Sequence, residues 1–189
     1  MAQNKWELTP MSEMNVLCYD PYKPAKDFPE GVEVVRGLDR IFKESDFVSL
    51  HAPNTPMTKN MVNKDTLAMM KPTAFLINTT RGALVNEKDL YDALTTGVIR
   101  GAGLDAIAHE PILPDMPLVN LPNCLVTPHI GGNSREAALR ASYHAAIGVV
   151  EMAEGKEPTW PIPYIDYATA KTYDDVKVPD RKTAGIYDY

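Results

Sequence analysis

Cysteine is scarce in this 189-residue chain, which holds only Cys18 and Cys124. They stand far apart in the sequence, outside any Cys-x-x-Cys pair and away from histidine at metal-ligand spacing, which argues against a disulfide scaffold, a zinc module and a paired-thiol redox centre. Two reduced structural thiols and no metal site are expected. Excess positive charge is lacking as well. Lysine and arginine total 19 against 25 acidic residues, a net charge of −6, so there is no basic footprint of the kind that neutralises phosphate backbones and no nucleic-acid partner is expected. Long hydrophobic runs are missing too. The first fifteen residues, "MAQNKWELTPMSEMN", have neither the basic start nor the apolar centre of a signal peptide, and no run is long enough to span a bilayer. The expectation is a cytoplasmic protein with no membrane role.

What is present is a series of short apolar runs rich in β-formers: 15–19 "NVLCY", 32–35 "VEVV", 46–50 "DFVSL", 74–78 "AFLIN", 101–106 "GAGLDA" and 124–127 "CLVT". Continuous rather than alternating apolarity predicts strands buried on both faces. Helix-like stretches separate several of them, at 38–45, 63–70 and 86–97, the last with Asn86 as N-cap, Asp89 in the first turn and Gly97 as a stop. A long helix is predicted from about Ser134 to Glu154, closed by Gly155, with small residues Ala138, Ala141, Ser142 and Ala145 suited to close packing against the sheet or a partner subunit. Strands alternating with helices predict an α/β fold with a doubly wound parallel sheet, and 44% apolar residues over this length suffice for a substantial core.

In such a sheet the loops that follow the strands gather along one edge, where ligands bind. The residues at or just past the ends of the runs are Asp20, His51, Thr79, Thr80, Arg81, Asp105 and His129. Each has an ordinary explanation when taken singly. Asp20 before Pro21 suits a turn, Thr79 and Thr80 suit a strand exit, Arg81 suits a surface ion pair, and His129 after a proline suits a plain loop. Their convergence on one edge points instead to a site.

The segments "VLCYDPY", "DFVSLHAPNTPMTKNMV", "MMKPTAFLINTTRGALVNEKDLYDAL", "GAGLDAIAHEP" and "LVTPHIGGNSREA" resemble, in unbroken order, the NAD-binding domain of the D-isomer-specific 2-hydroxyacid dehydrogenases. The resemblance implies a Rossmann-like fold and a division of the chain into a segment 1–14 without counterpart, a partial NAD-binding domain at 15–158 and a Pro/Tyr-rich tail at 159–189. It also implies hydride transfer between NADH and a small 2-oxo acid, the reverse reaction oxidising the 2-hydroxy acid. Arg81 then matches the fork that anchors the substrate carboxylate, His129 the general acid, and Glu110 the partner that orients and tunes the histidine. Asp20 matches the carboxylate that accepts hydrogen bonds from the adenine ribose, which favours NAD over NADP. Asp105 matches a position near the nicotinamide carboxamide, while Ala52, Thr79, Thr80, Gly131 and Gly132 match positions lining the cofactor. His109 has no matching role.

The chain also departs from the family. No glycine precedes Gly31, so the glycine-rich turn that cradles the pyrophosphate is absent, together with the strand before it. That strand is central in the family's sheet, and its loss predicts a gap one strand wide. The alternating stretch 5–9, "KWELT", is a weak substitute strand. The N-terminal part of a substrate domain is also missing, and residues 156–189, with prolines 158, 161, 163 and 179 and five tyrosines, suit either docking on a neighbour or disorder. Three expectations compete: an active dehydrogenase completed from elsewhere, a truncated and catalytically silent relative, and an interaction module that forms a homo-oligomer, such as a dimer, or associates with a full-length relative.

Overall fold

In the computed structural model, residues 14–159 are described. All six apolar runs are strands: β1 Val16–Cys18, β2 Val32–Val34, β3 Phe47–Leu50, β4 Phe75–Asn78, β5 Gly101–Leu104 and β6 Cys124–Val126. The helices are α1 Leu38–Glu44, α2 Lys64–Met69, α3 Glu87–Thr96 and α4 Arg135–Ala153. Their ends follow from side-chain chemistry. Asn63 opens α2 with a reciprocal capping box to Thr66, and the Asn86 side chain accepts the Asp89 amide at 3.2 Å to open α3. Gly97 closes α3 in the left-handed conformation, φ 75°, which glycine adopts without steric cost. Ser134 caps α4 by accepting the Ala137 amide at 3.0 Å.

Every strand pair is parallel, but the strands form two sheets. β1 pairs with β2, and the second sheet has the order β3-β4-β5-β6. No pairing joins β1 to β3, and no strand among the described residues lies between them. "KWELT" lies outside the described residues, as does almost all of the Pro/Tyr-rich tail.

The four-stranded sheet is covered on one face. In register across it, Val48, Leu76, Ala102 and Cys124 form one row and Leu50, Asn78, Leu104 and Val126 the next but one. These rows join a single core with Phe42 of α1, Leu67 of α2 and Leu90, Ala93 and Leu94 of α3. The alternate rows, Phe47-Phe75-Gly101 and Ser49-Ile77-Gly103-Leu125, belong to the opposite face. There Phe47 is 64% exposed and Leu125 70%. The expectation of strands buried on both faces is therefore met on one face only, because no element among the described residues covers the second. Phe47 and Phe75 stack with centroids 5.6 Å apart, and Arg100 sits over the Phe75 ring. The long helix differs from expectation in a related way. α4 forms at its expected place yet contains no buried residue, and Leu139, Tyr143, Val149 and Met152 face solvent.

Both cysteines are free. Burial raises the Cys18 thiol above its ordinary value and pushes Cys124 up to about 11, so neither is a ready nucleophile. No helix among the described residues is long and apolar enough to cross a membrane.

Candidate active site

Parallel strands deliver their following loops to one edge, and the loops after β4, β5 and β6 meet there. Asn78, the last residue of β4, is fully buried, and both polar atoms of its side chain are directed at the turn that follows. Its Oδ1 accepts the Thr80 amide at 3.1 Å and the Thr80 hydroxyl at 2.9 Å, while its Nδ2 donates to the Arg81 carbonyl at 2.9 Å. A buried amide without partners would be costly, so the same bonds that satisfy Asn78 hold the Thr79-Thr80-Arg81 turn in one shape. Arg81 presents an exposed guanidinium, which donates to the Thr80 carbonyl at 2.7 Å.

Asp105 plays the equivalent part after β5. Its Oδ1 accepts the Thr127 hydroxyl at 2.5 Å and the Ile130 amide at 2.9 Å, and its Oδ2 accepts the Gly131 amide at 2.8 Å. Those bonds, Thr127 foremost, hold the Asp105 carboxyl below the ordinary carboxylate value. The carboxylate thus ties down the loop that carries His129. A Cβ at Gly131 would stand 2.9 Å from Asp105 Oδ2, too close for this grip, whereas Gly132 has open space.

His129 itself has φ 54°, an uncommon conformation for a residue with a Cβ and one that concentrates at functional positions. Its Nδ1 lies 2.9 and 3.0 Å from the two carboxylate oxygens of Glu110. The pair is about 40% exposed; a surface ion pair of that kind contributes little to folding, and its geometry suits orientation of the ring. The hydrogen bond with His129 is the main cause holding the Glu110 carboxyl below its ordinary value, and the charge of Arg81 adds to the effect. A small open pocket of about 80 Å³ lies against the pair, with Ile107, Pro111, Ile112 and Pro128 among its walls.

Arg81, Glu110, His129, Asp105, Thr80 and Gly131 are thereby gathered around three adjacent strand ends. Ala52 follows β3, at the end of the same sheet, while Asp20 follows β1 in the separate two-stranded sheet. Asp20 does start a turn, accepting the Tyr22 amide at 2.8 Å through Oδ1. His51 Nε2 is 2.9 Å from the Ser49 hydroxyl on the open side of β3, and His109 is an exposed loop residue.

Sequence reasoning passed over Asn78, Gly82, Glu87 and Thr127. Asn78 is signalled by a polar residue closing an apolar run. Gly82 is signalled only by its place after Arg81, and its reason is tertiary: a Cβ there would fall 1.8 Å from the Ile107 carbonyl carbon. Glu87 reads as an ordinary first-turn acid of α3, and Thr127 as an ordinary strand end.

Residues 4–131 match the family described as D-isomer specific 2-hydroxyacid dehydrogenase, NAD binding domain. The chain belongs to this family. It is 43% identical over 147 residues to a glyoxylate reductase of Korarchaeum cryptofilum, covering 77% of this chain and 44% of the relative. With a D-3-phosphoglycerate dehydrogenase of Methanocaldococcus jannaschii the identity is 40% over 145 residues, 76% of this chain and 27% of the relative. Among solved structures, the D-lactate dehydrogenase of Aquifex aeolicus complexed with NAD and lactic acid superposes with a TM-score of 0.68 at 32% identity, over 75% of this chain and 47% of that one. The chain thus spans less than half the length of these relatives.

NAD is the cofactor of this domain family. The strand ends are compatible with it: the Asn78-braced turn and the Asp105-braced loop are held in fixed positions, and exposed Gly131 puts no side chain beside the His129 pocket. The pyrophosphate end has no glycine-rich turn among the described residues, and no glycine occurs before Gly31.

Proposed function

We propose that this chain is the NAD-binding and acid–base half of a D-2-hydroxyacid dehydrogenase acting on a small 2-oxo or 2-hydroxy acid in the cytoplasm. The observation that carries the reading is the Glu110–His129 pair at 2.9 Å beside Arg81. When bound, NADH supplies the hydride for C2 of the oxo acid. Arg81 binds the substrate carboxylate with a planar fork, which fixes the carbonyl relative to His129. The opposite ring nitrogen, Nε2, gives its proton to the carbonyl oxygen as negative charge develops there. Glu110 accepts from Nδ1–H and so orients the ring with Nε2 toward the carbonyl, and Asp105 keeps the loop from moving the ring away. Ala52, Thr79, Thr80, Asp105, Gly131 and Gly132 would line the cofactor, and Asp20 would accept from the adenine ribose.

The test is an NADH titration of the chain by nicotinamide fluorescence with its mass recorded in the same buffer, followed by a screen of 2-oxo acids. In whatever assembly turns over, His129→Ala is expected to lower the rate by roughly 10²- to 10⁴-fold with little change in NADH affinity. Arg81→Lys is expected to raise the KM for the oxo acid, because a point charge does not reproduce the fork. Equal kinetics in either variant would reject that residue's role.

The sheet face and the α4 surface that the described residues leave uncovered favour a second reading, in which the chain is a silent relative acting through association with itself or with a full-length dehydrogenase. A folded oligomer that binds no NADH would decide for it.

A further inference from the structure

The Ile107–Ala108 peptide lies between the two halves of the site. One side of it presses on Gly82, the residue after Arg81: a Cβ there would lie 1.8 Å from the Ile107 carbonyl carbon, 2.1 Å from its oxygen and 2.2 Å from the Ala108 nitrogen. The Ala108 amide donates to Glu87 Oε1 at 2.6 Å, a contact between residues 21 apart in sequence. The Ile107 amide points to Glu110 Oε1, at a longer 3.4 Å. Glu87 itself is set by α3, whose start is pinned by the Asn86 cap. Ala108 is exposed, and a hydrogen bond at an exposed amide would be dispensable unless the segment has to be held in place.

We infer that Glu87 is a positioning residue: by taking the Ala108 amide it clamps the 107–110 segment against Gly82, and so fixes Glu110 where it meets His129. The inference rests on the acid–base reading of that pair and adds a third element, α3, to its support. A charged acceptor makes this the stronger kind of hydrogen bond, and its carboxylate would hold through small shifts of the loop.

The experiment is NMR on the 189-residue chain, following Ala108 amide exchange and the Glu110 carboxyl titration, with thermal melting as a control. Native protein should show a protected Ala108 amide and a Glu110 midpoint below the ordinary 4.5. Glu87→Ala should lose the protection and let the Glu110 midpoint rise toward 4.5, whereas Glu87→Gln, which keeps an acceptor oxygen, should retain both. Glu87→Asp keeps the charge in the first turn of α3 but withdraws the oxygen by one methylene. It should behave like the alanine variant, and it decides the matter if Glu87→Ala fails to fold. A folded Glu87→Ala or Glu87→Asp protein with an unmoved Glu110 midpoint would overturn the positioning role. A native Glu110 midpoint at 4.5 would instead show that the Glu110–His129 pair is not formed, and would remove the acid–base reading and this inference together.

Discussion

Asp105 shows how one side chain can hold a site without performing its chemistry. Its carboxylate accepts three hydrogen bonds from Thr127, Ile130 and Gly131, and all three favour the ionised form. With the folded-state value depressed, this grip is fully present above the unfolded value and is lost as pH falls through the folded one. The Gly131 amide, followed by NMR during acidification, should therefore report a midpoint below the ordinary 3.8; a midpoint at or above 3.8 would contradict the bonding. Gly82 makes the opposite kind of contribution, through the atoms it lacks. Since its missing Cβ would fall inside the backbone of Ile107 and Ala108, Gly82→Ala should cost at least the ~1–3 kcal/mol of an overpacked site. Urea unfolding measures this, and an unchanged midpoint would contradict the close approach. The nearness of Arg81, Glu110 and His129 was foreseeable from the motifs that carry them, whereas the places of Gly82 and Glu87 were not, because they depend on contacts with a segment some twenty residues away.

At the scale of elements, local signals located the structure well. Asn86, Asp89 and Gly97 bound α3 as their types predict, since a capping oxygen, a first-turn acid and a left-handed glycine each satisfy a local need of the helix end. Asn86→Ala should lower stability by about 1 kcal/mol in denaturant melts. Because Glu87 follows that cap, the same variant should also loosen the Ala108 amide; loss of stability with full protection at Ala108 would separate the cap from the clamp. α4 was equally legible as a helix from Ser134 onward, but not its surroundings. Small residues at Ala138, Ala141 and Ala145 suggest a close partner, yet nothing is buried along it.

At the scale of the whole molecule, the unusual feature is a parallel sheet with one face left uncovered by the described residues. Parallel sheets are ordinarily covered on both sides because their strands are apolar throughout, and here Phe47, Ile77 and Leu125 lie on the uncovered side. An apolar surface of that kind is the place where association is expected. Sedimentation should find the mean mass rising with protein concentration, and Phe47→Ser should reduce the rise while leaving the melting temperature nearly unchanged, since Phe47 is 64% exposed. A monomer at all concentrations would rule out association through this face.

The strand runs, the helix ends and the family were present in the sequence by itself, because apolar runs and capping act over a few residues and the family's motifs stand in unbroken order; the Arg81, Glu110 and His129 assignment follows from that resemblance. The tertiary structure alone decided which sheet face is covered, that β1 does not pair with β3, that Asp105 grips the His129 loop, and that Gly82 and Glu87 hold the Ile107–Ala108 peptide. Those are contacts between distant segments, and their energies depend on packing and hydrogen-bond distances that no local pattern encodes.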